Sequence, residues 1–330
     1  MTTQNPSRRT FLAAGASLSL AALPLSASAQ AWPPATVKII VPYPPGSEPD
    51  VLARDIAAQL GRRSGKTFVV DNKPGANTIV GTQELLKAEG DGSAMMLIDR
   101  LAVVTNPMLY ARLPYVWQET IKPVTDLARV NLFLAARQGF AAQNYRDLIA
   151  YARQNPGKIN VGTGGNGHVT HIAAAMIAQA EGVQFTYVPY RGIAPAVAGI
   201  VGGEVDLLLA GGLVLQPHQA SGRIRILAVG DDARAGFLPE VPTIAEAGGR
   251  RESIPSTVFG LLTTAKVPDA AVAQMRQAVA DIVGQAEFRK PYESRGLVMG
   301  TTTPAQTLAL MQQESAHYER VLKATGIKLE

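Results

Sequence analysis

The chain of 330 residues contains no cysteine. Disulfide scaffolds, thiolate nucleophiles and Cys-ligated zinc or iron–sulfur sites are therefore excluded. Charge is scarce as well: Asp, Glu, Lys and Arg make up 17% of the residues, against roughly 25% in an average soluble domain. With 31 Gly and 22 Pro, this is a compact, loop-punctuated composition and not a disordered one. Basic residues never run beyond pairs, so the formal charge of +5 lacks the clustering that nucleic-acid binding needs. Past the N-terminal segment, no apolar stretch reaches the roughly 18 residues of a membrane span. There is no G-x-S-x-G nucleophile elbow and no repeat at a fixed period.

What is present begins with an export signal. Arg8-Arg9-Thr10-Phe11-Leu12 leads into an apolar run from Leu12 to Leu25 and then Ala27-Ser28-Ala29-Gln30-Ala31. A charged start, a short apolar run and a small-residue cleavage site make residues 1–31 a signal peptide, cleaved near Ala29 or Ala31. The paired arginines resemble a twin-arginine (Tat) signal, and two of the five net positive charges leave with them. The mature chain is expected in the periplasm.

From Val37 onward, short β-branched runs alternate with segments of helical period, the sequence form of an α/β fold with largely parallel strands. Strands are predicted at residues 37–41, 68–71, 95–98, 159–162, 185–188, 205–209 and 224–229. Helical spacing marks 51–60, through Leu52, Ile56 and Leu60, and also 145–154, 172–181 and 194–201. A mature chain of about 300 residues is long enough for one core to split into two. Residues 127–136 and 258–263 are predicted as two crossing strands linking two lobes. The expected boundaries are 1–31 for the signal peptide, 32–132 plus 256–330 for lobe 1, and 133–255 for lobe 2.

In open α/β sheets, ligands sit beyond the carboxyl ends of strands, where helix N-termini favour anions. The first such loop, Pro42-Tyr43-Pro44-Pro45-Gly46-Ser47-Glu48-Pro49-Asp50, is stiffened by proline and ends on a helix-capping Asp. In the second lobe, Gly162-Thr163-Gly164-Gly165-Asn166-Gly167 spells G-x-G-x-x-G between a strand and a helix. The next strand ends in Arg191, which suits NADP, so an exported NADP-dependent oxidoreductase is the competing function. His168 and His171 form H-x-x-H at a helix start, but no Cys or carboxylate trio accompanies them, and hydrogen bonding at the helix entry is expected instead of a metal. No catalytic set and no cofactor are expected.

These motifs occur in order with others: Asn72-Lys73-Pro74-Gly75-Ala76, Asp91-Gly92, Asn106-Pro107, Leu113-Pro114-Tyr115, Val188-Pro189-Tyr190-Arg191-Gly192, Gly202-Gly203-Glu204-Val205-Asp206, Leu238-Pro239-Glu240-Val241-Pro242-Thr243 and Phe259-Gly260-Leu261-Leu262. Together they resemble the Bug family, the extracytoplasmic solute receptors of tripartite tricarboxylate transporters. The resemblance spans nearly the whole mature chain. It implies a two-lobed periplasmic binding protein fold (type II-like), joined by two crossing strands, that closes over a small carboxylate without making or breaking a bond. The implied partners are that ligand and membrane transporter subunits, or a sensor protein if the receptor signals instead of feeding uptake. A monomer is expected.

By that resemblance the ligand-binding residues are Tyr43, Gly46, Ser47, Glu48, Asp50, Ala76, Asn77, Asp99, Arg100, Gly164, Gly165, Asn166, His168, Arg191 and Asp206. The chain also departs from the family pattern. Ser47-Glu48-Pro49 stands in the first loop where the family has Gly and small or polar residues, and Asp99-Arg100 replaces a small polar loop. Ala210-Gly211 stands where Asp-Asn is usual, and His168 replaces a small residue. Two readings follow: Glu48 and Asp99 face an amino group or other donor while Arg100 or Arg191 pairs with a carboxylate, as suits an amino acid or another nitrogen-containing acid, or else Glu48, Asp99 and Arg100 point to solvent or pair with each other.

Overall fold

Aliphatic runs long enough for a strand, punctuated by Gly and Pro, build two separate sheets in the computed structural model, which describes Thr2, residues 32–250, Ile254 and residues 256–326. Apart from Thr2, the expected signal peptide lies outside the described residues. The first half of the chain gives β1 (Thr36–Val41), α1 (Glu48–Ser64), β2 (Thr67–Asn72), α2 (Ile79–Leu86), β3 (Ala94–Asp99), α3 (Arg100–Leu109), α4 (Trp117–Thr120), β4 (Ile121–Val130), β5 (Leu132–Arg137) and α5 (Tyr145–Gln154). The second gives β6 (Asn160–Thr163), α6 (Val169–Glu181), β7 (Thr186–Pro189), α7 (Ile193–Gly202), β8 (Leu207–Gly211), α8 (Gly212–Ala220), β9 (Ile224–Val229), β10 (Thr257–Thr264), α9 (Asp269–Val283), α10 (Ala286–Glu293), β11 (Leu297–Met299) and α11 (Pro304–Thr325).

One sheet has the order β11-β4-β10-β3-β1-β2 and the other β7-β6-β8-β5-β9. Each contains a parallel trio, β2-β1-β3 and β7-β6-β8, to which antiparallel strands are added. Central parallel strands are covered on both faces and become apolar throughout. Accordingly β3 and β8 are buried at every position. Helix α1 packs Leu52, Ala53, Ile56, Ala57 and Leu60 inward, and each large aliphatic removed from water contributes roughly 1.5–3 kcal/mol.

The chain passes between the sheets twice, side by side. β4 leads into β5 through Asn131, and the return runs from β9 to β10, where Val130 pairs with Thr257 and Phe133 with Val229. The predicted strand over 127–136 is thus broken at Asn131, with one part in each sheet. The periodic elements lie where the sequence predicts them, and α5 matches residue for residue. Helices α3 and α8 gave no such signal. The first is apolar on nearly every face and carries Pro107 inside; the second opens on glycine and carries Pro217. Both patterns mask an amphipathic period.

Phe237, from the segment between β9 and β10, stacks edge-on against Phe133 at 5.5 Å. Its ring also fills the space where side chains at Gly212 and Gly296 would begin, 2.3 and 1.9 Å from their Cβ positions. One aromatic therefore packs on the strands of one sheet and on the turn before β11 of the other. Gly296 also has φ +90°, which penalises any side chain. Gly296→Ala is expected to cost about 2–4 kcal/mol in urea unfolding, from overpacking plus backbone strain. In a Phe237→Ala background only the strain part should persist, and strictly additive effects would refute the wedge.

Candidate functional site

Six strand ends feed helix N-termini here: β1 into α1, β2 into α2, β3 into α3, β6 into α6, β7 into α7 and β8 into α8. The connecting loops of both sheets face one cleft. Its inner part is lined by Tyr43, Gly46, Ser47, Glu48 and Asp99 from one side and by His168, Ile193, Ala210 and Gly211 from the other. Its outer part brings Ala76, Asn77 and Thr78 opposite Gly164, Gly165, Asn166 and Arg191. Tyr43, Pro44 and His168 border both parts.

The inner part is mostly apolar and contains no Lys or Arg. Glu48 opens α1, and its Oε1 is buried with no hydrogen-bond partner. Burial pushes its pKa up to about 7. A Cβ at position 211 would lie 2.7 Å from Oε1 and 2.8 Å from Oε2, so the carboxylate occupies space that only glycine leaves open. Asp99 caps α3, its Oδ1 accepting from the Leu101 N–H at 3.1 Å and the Val258 N–H at 3.4 Å. Burial outweighs those bonds and raises Asp99 to about 7 as well. The Tyr43 hydroxyl accepts from the Asp99 N–H at 3.1 Å, which leaves its own hydrogen to donate.

On the other side, His168 caps α6, its Nδ1 accepting the Thr170 N–H at 3.3 Å. Burial, with His171 adding to it, lowers the His168 pKa to about 4. The ring is therefore neutral at pH 7 with its proton on Nε2. His171 Nδ1 accepts the Gly167 N–H at 3.1 Å. Both histidines of the H-x-x-H thus serve backbone donors, and among the described residues no metal-binding group of three such side chains forms. The imidazole of His168 also lies within 2.9 Å of where a Gly164 side chain would start. The second glycine of the G-x-G-x-x-G loop accommodates this ring.

In the outer part, Ala76, Asn77 and Thr78 have φ of 44°, 44° and 75°, three consecutive non-glycine residues in left-handed backbone. Such residues cost roughly 1–2 kcal/mol each, so something must hold them. Asn106 does: its Nδ2 donates to the Asn77 carbonyl at 2.9 Å and its Oδ1 accepts from Asn77 Nδ2 at 2.7 Å. The same Nδ2 reaches across the cleft to the Gly167 carbonyl at 3.2 Å. Asn106 is fully buried and was absent from the predicted set; the Asn-Pro pair was its only sequence signal. Thr78 Oγ1 is buried without a partner. Arg191 is exposed and has no acidic partner among the described residues.

Three predicted residues do not line the cleft. Asp50 accepts from the Gly46 N–H at 2.9 Å, from Arg54 and from Asn72. Burial would raise its pKa, but these donors together hold it below the usual carboxylate value. It braces the first loop from behind, while Ser47 occupies the cap position. Asp206 accepts from Arg137 Nε and the Asn160 N–H, both at 2.9 Å. Arg100 is buried: its Nε lies 3.0 Å from Asp126 Oδ1 and its Nη1 pairs with Glu314 of α11. The guanidinium is thus buried beside these carboxylates and lines neither part of the cleft.

The sequence pattern of the tripartite tricarboxylate transporter family receptor matches residues 52–327. The chain belongs to this family. It is 29% identical to a UPF0065 protein from the tcbD-tcbE intergenic region of Pseudomonas sp. (strain P51), across 88% of this chain and 87% of that one. Among solved structures, R. palustris Rpa4515 with adipate matches with a TM-score of 0.85 at 29% identity, covering 90% of this chain and 99% of its own. Periplasmic binding protein BugD matches with a TM-score of 0.83 at 26% identity, covering 91% and 100%. These family and structural neighbours are solute-binding receptors, and the two-sheet α/β architecture is theirs.

Two outcomes follow. Arg100→Ala leaves Asp126 and Glu314 buried without their cation and should cost about 3–5 kcal/mol in urea unfolding; a loss below about 1 kcal/mol would contradict the ion-pair reading. Glu48 has a folded pKa above its unfolded value, so the folded state holds its proton between about pH 4.5 and 7. Its charge penalises folding increasingly across that window and fully above it. Without ligand, Glu48→Gln should therefore gain stability over the parent as pH rises from 4.5 to 7, by on the order of 3 kcal/mol, then plateau. A difference independent of pH would contradict the burial of this carboxylate.

Proposed function

We propose that the chain is a periplasmic solute receptor that closes over one small carboxylate-bearing ligand, an amino acid or another nitrogen-containing acid, and presents it to a tripartite tricarboxylate-type transporter. It acts as a monomer and not as an enzyme. The observation that carries this reading is the convergence of strand-end loops from both sheets on one cleft, bridged by the Asn77 to Gly167 hydrogen bond. A ligand seated there touches both sides only when they are together, so it favours the closed arrangement by its differential affinity. The lobes are residues 32–132 with 256–330 and residues 133–255, moving about the paired connections at Asn131 and before β10. Export follows from the signal peptide at residues 1–31.

Two features support a carboxylate. The outer cleft offers Arg191 and the loop backbone at Gly164 and Gly165, and helix entries favour anions. The family relative Rpa4515 is seen with adipate. Mass spectrometry of protein purified from the periplasm should find a bound small acid. In a thermal-shift panel of mono-, di- and tricarboxylates, amino acids and nitrogen-containing aromatic acids, the cognate class at a hundredfold over Kd adds about 2.7 kcal/mol. No co-purified acid and no shift with any compound would refute this function.

A further inference from the structure

We infer that Glu48, set against Gly211, makes the inner end of the cleft a seat for a protonated nitrogen, so that the ligand lies with its ammonium inward and its carboxylate outward toward Arg191. This rests on the receptor reading and fixes the ligand's orientation and charge. Glu48 Oε1 is buried and unpartnered, whereas buried Asp50 and Asp99 accept from nearby donors and Asp126 and half-buried Glu314 share Arg100. Both arginines that flank the cleft in sequence are unavailable to Glu48. Arg100 is turned to its ion pair, and Arg191 lines only the outer part.

The groups facing Glu48 across the inner cavity are acceptors or neutral. Asp99 comes from the end of β3, Tyr43 and Ser47 from the first loop, Thr257 from β10, Thr170 and the neutral His168 from α6, and the remaining walls are apolar or glycine. A second carboxylate placed against Glu48 would meet it with no Lys or Arg in the lining between them. An ammonium would instead find the unpartnered Glu48 carboxylate, and the Ser47 hydroxyl is already committed to the Pro44 carbonyl at 2.8 Å. An unpaired buried carboxylate either takes up a proton or finds a cation. A ligand ammonium supplies that cation only when both sheets enclose it, so Glu48 ties closure to the arrival of the correct ligand and disfavours closing empty at alkaline pH.

The two ends of the ligand are separated by matched compounds that differ at one end only: adipate against 6-aminohexanoate and succinate against 4-aminobutanoate, measured by calorimetry and thermal shift on the mature protein. At least one amino acid of the set should bind at least tenfold more tightly than its dicarboxylate partner. Its affinity should fall about tenfold from pH 8 to pH 6, because the ammonium must displace the proton that Glu48 takes up near pH 7. Glu48→Gln should remove most of both the preference and the pH dependence. The parent-protein arms stand even if that variant does not fold. Dicarboxylates binding as well as the amino acids, or affinity rising as pH falls, would overturn the inference while leaving the receptor function intact. Failure of both series together with every other carboxylate would overturn both.

Discussion

The Glu48 carboxylate lies against the backbone of Gly211, so the first helix of one sheet and a strand end of the other meet around a charge that the fold itself does not neutralise. Everything near it is arranged consistently with that burden. Position 211 has no side chain, the cavity walls are mostly apolar, and the neighbouring His168 imidazole is kept neutral by burial beside His171. Coulombic interactions strengthen as water leaves, and so does the cost of an unpaired charge. A cleft built this way is poorly satisfied when empty and well satisfied by one kind of occupant, which is what a receptor requires.

The rest of the architecture holds that cleft in register. On one side, Arg100 ties together α3, β4 and α11 through Asp126 and Glu314, and Asp50 braces the proline loop through Gly46 and Asn72. On the other, the Arg137 and Asp206 pair fastens β5 to the start of β8, and the two histidines cap α6. Between them, among the described residues, two adjacent backbone connections cross. The left-handed turn at Ala76 to Thr78, clamped by Asn106, belongs to the same design: strain stored at the cleft and held by a fully buried amide.

Much of this was legible in the sequence because it is local. Strands such as β1 and β9 carry β-branched runs bounded by turn residues, and α5 displays its apolar spacing behind an Asn cap. The loops around Tyr43, Gly164 and Arg191 could be placed at the cleft because strand ends feeding helices predict where ligands sit. Arg100 could not be placed by the same logic. It follows a strand end like the others, but its direction is decided by Asp126 and by Glu314 in the last helix, partners that only the folded chain brings near. Glu48 and Ala210-Gly211 were both visible as departures from the family pattern, but as separate ones. Their meaning is joint, since the glycine makes room for the carboxylate, and that contact spans two sheets. Asn106 was hidden for a related reason: its job is to hold backbone of a turn far away in sequence, and its neighbours carry no periodic signal.

The most direct measurement is a crystal structure of the mature protein with the ligand it retains from the periplasm. The predicted result is one small molecule spanning the border formed by Tyr43 and His168, with a nitrogen within hydrogen-bond distance of Glu48 and a carboxylate in the outer part beside Arg191. A ligand bound outside this cleft, or one whose carboxylate sits against a buried Glu48 with no nitrogen between them, would contradict it.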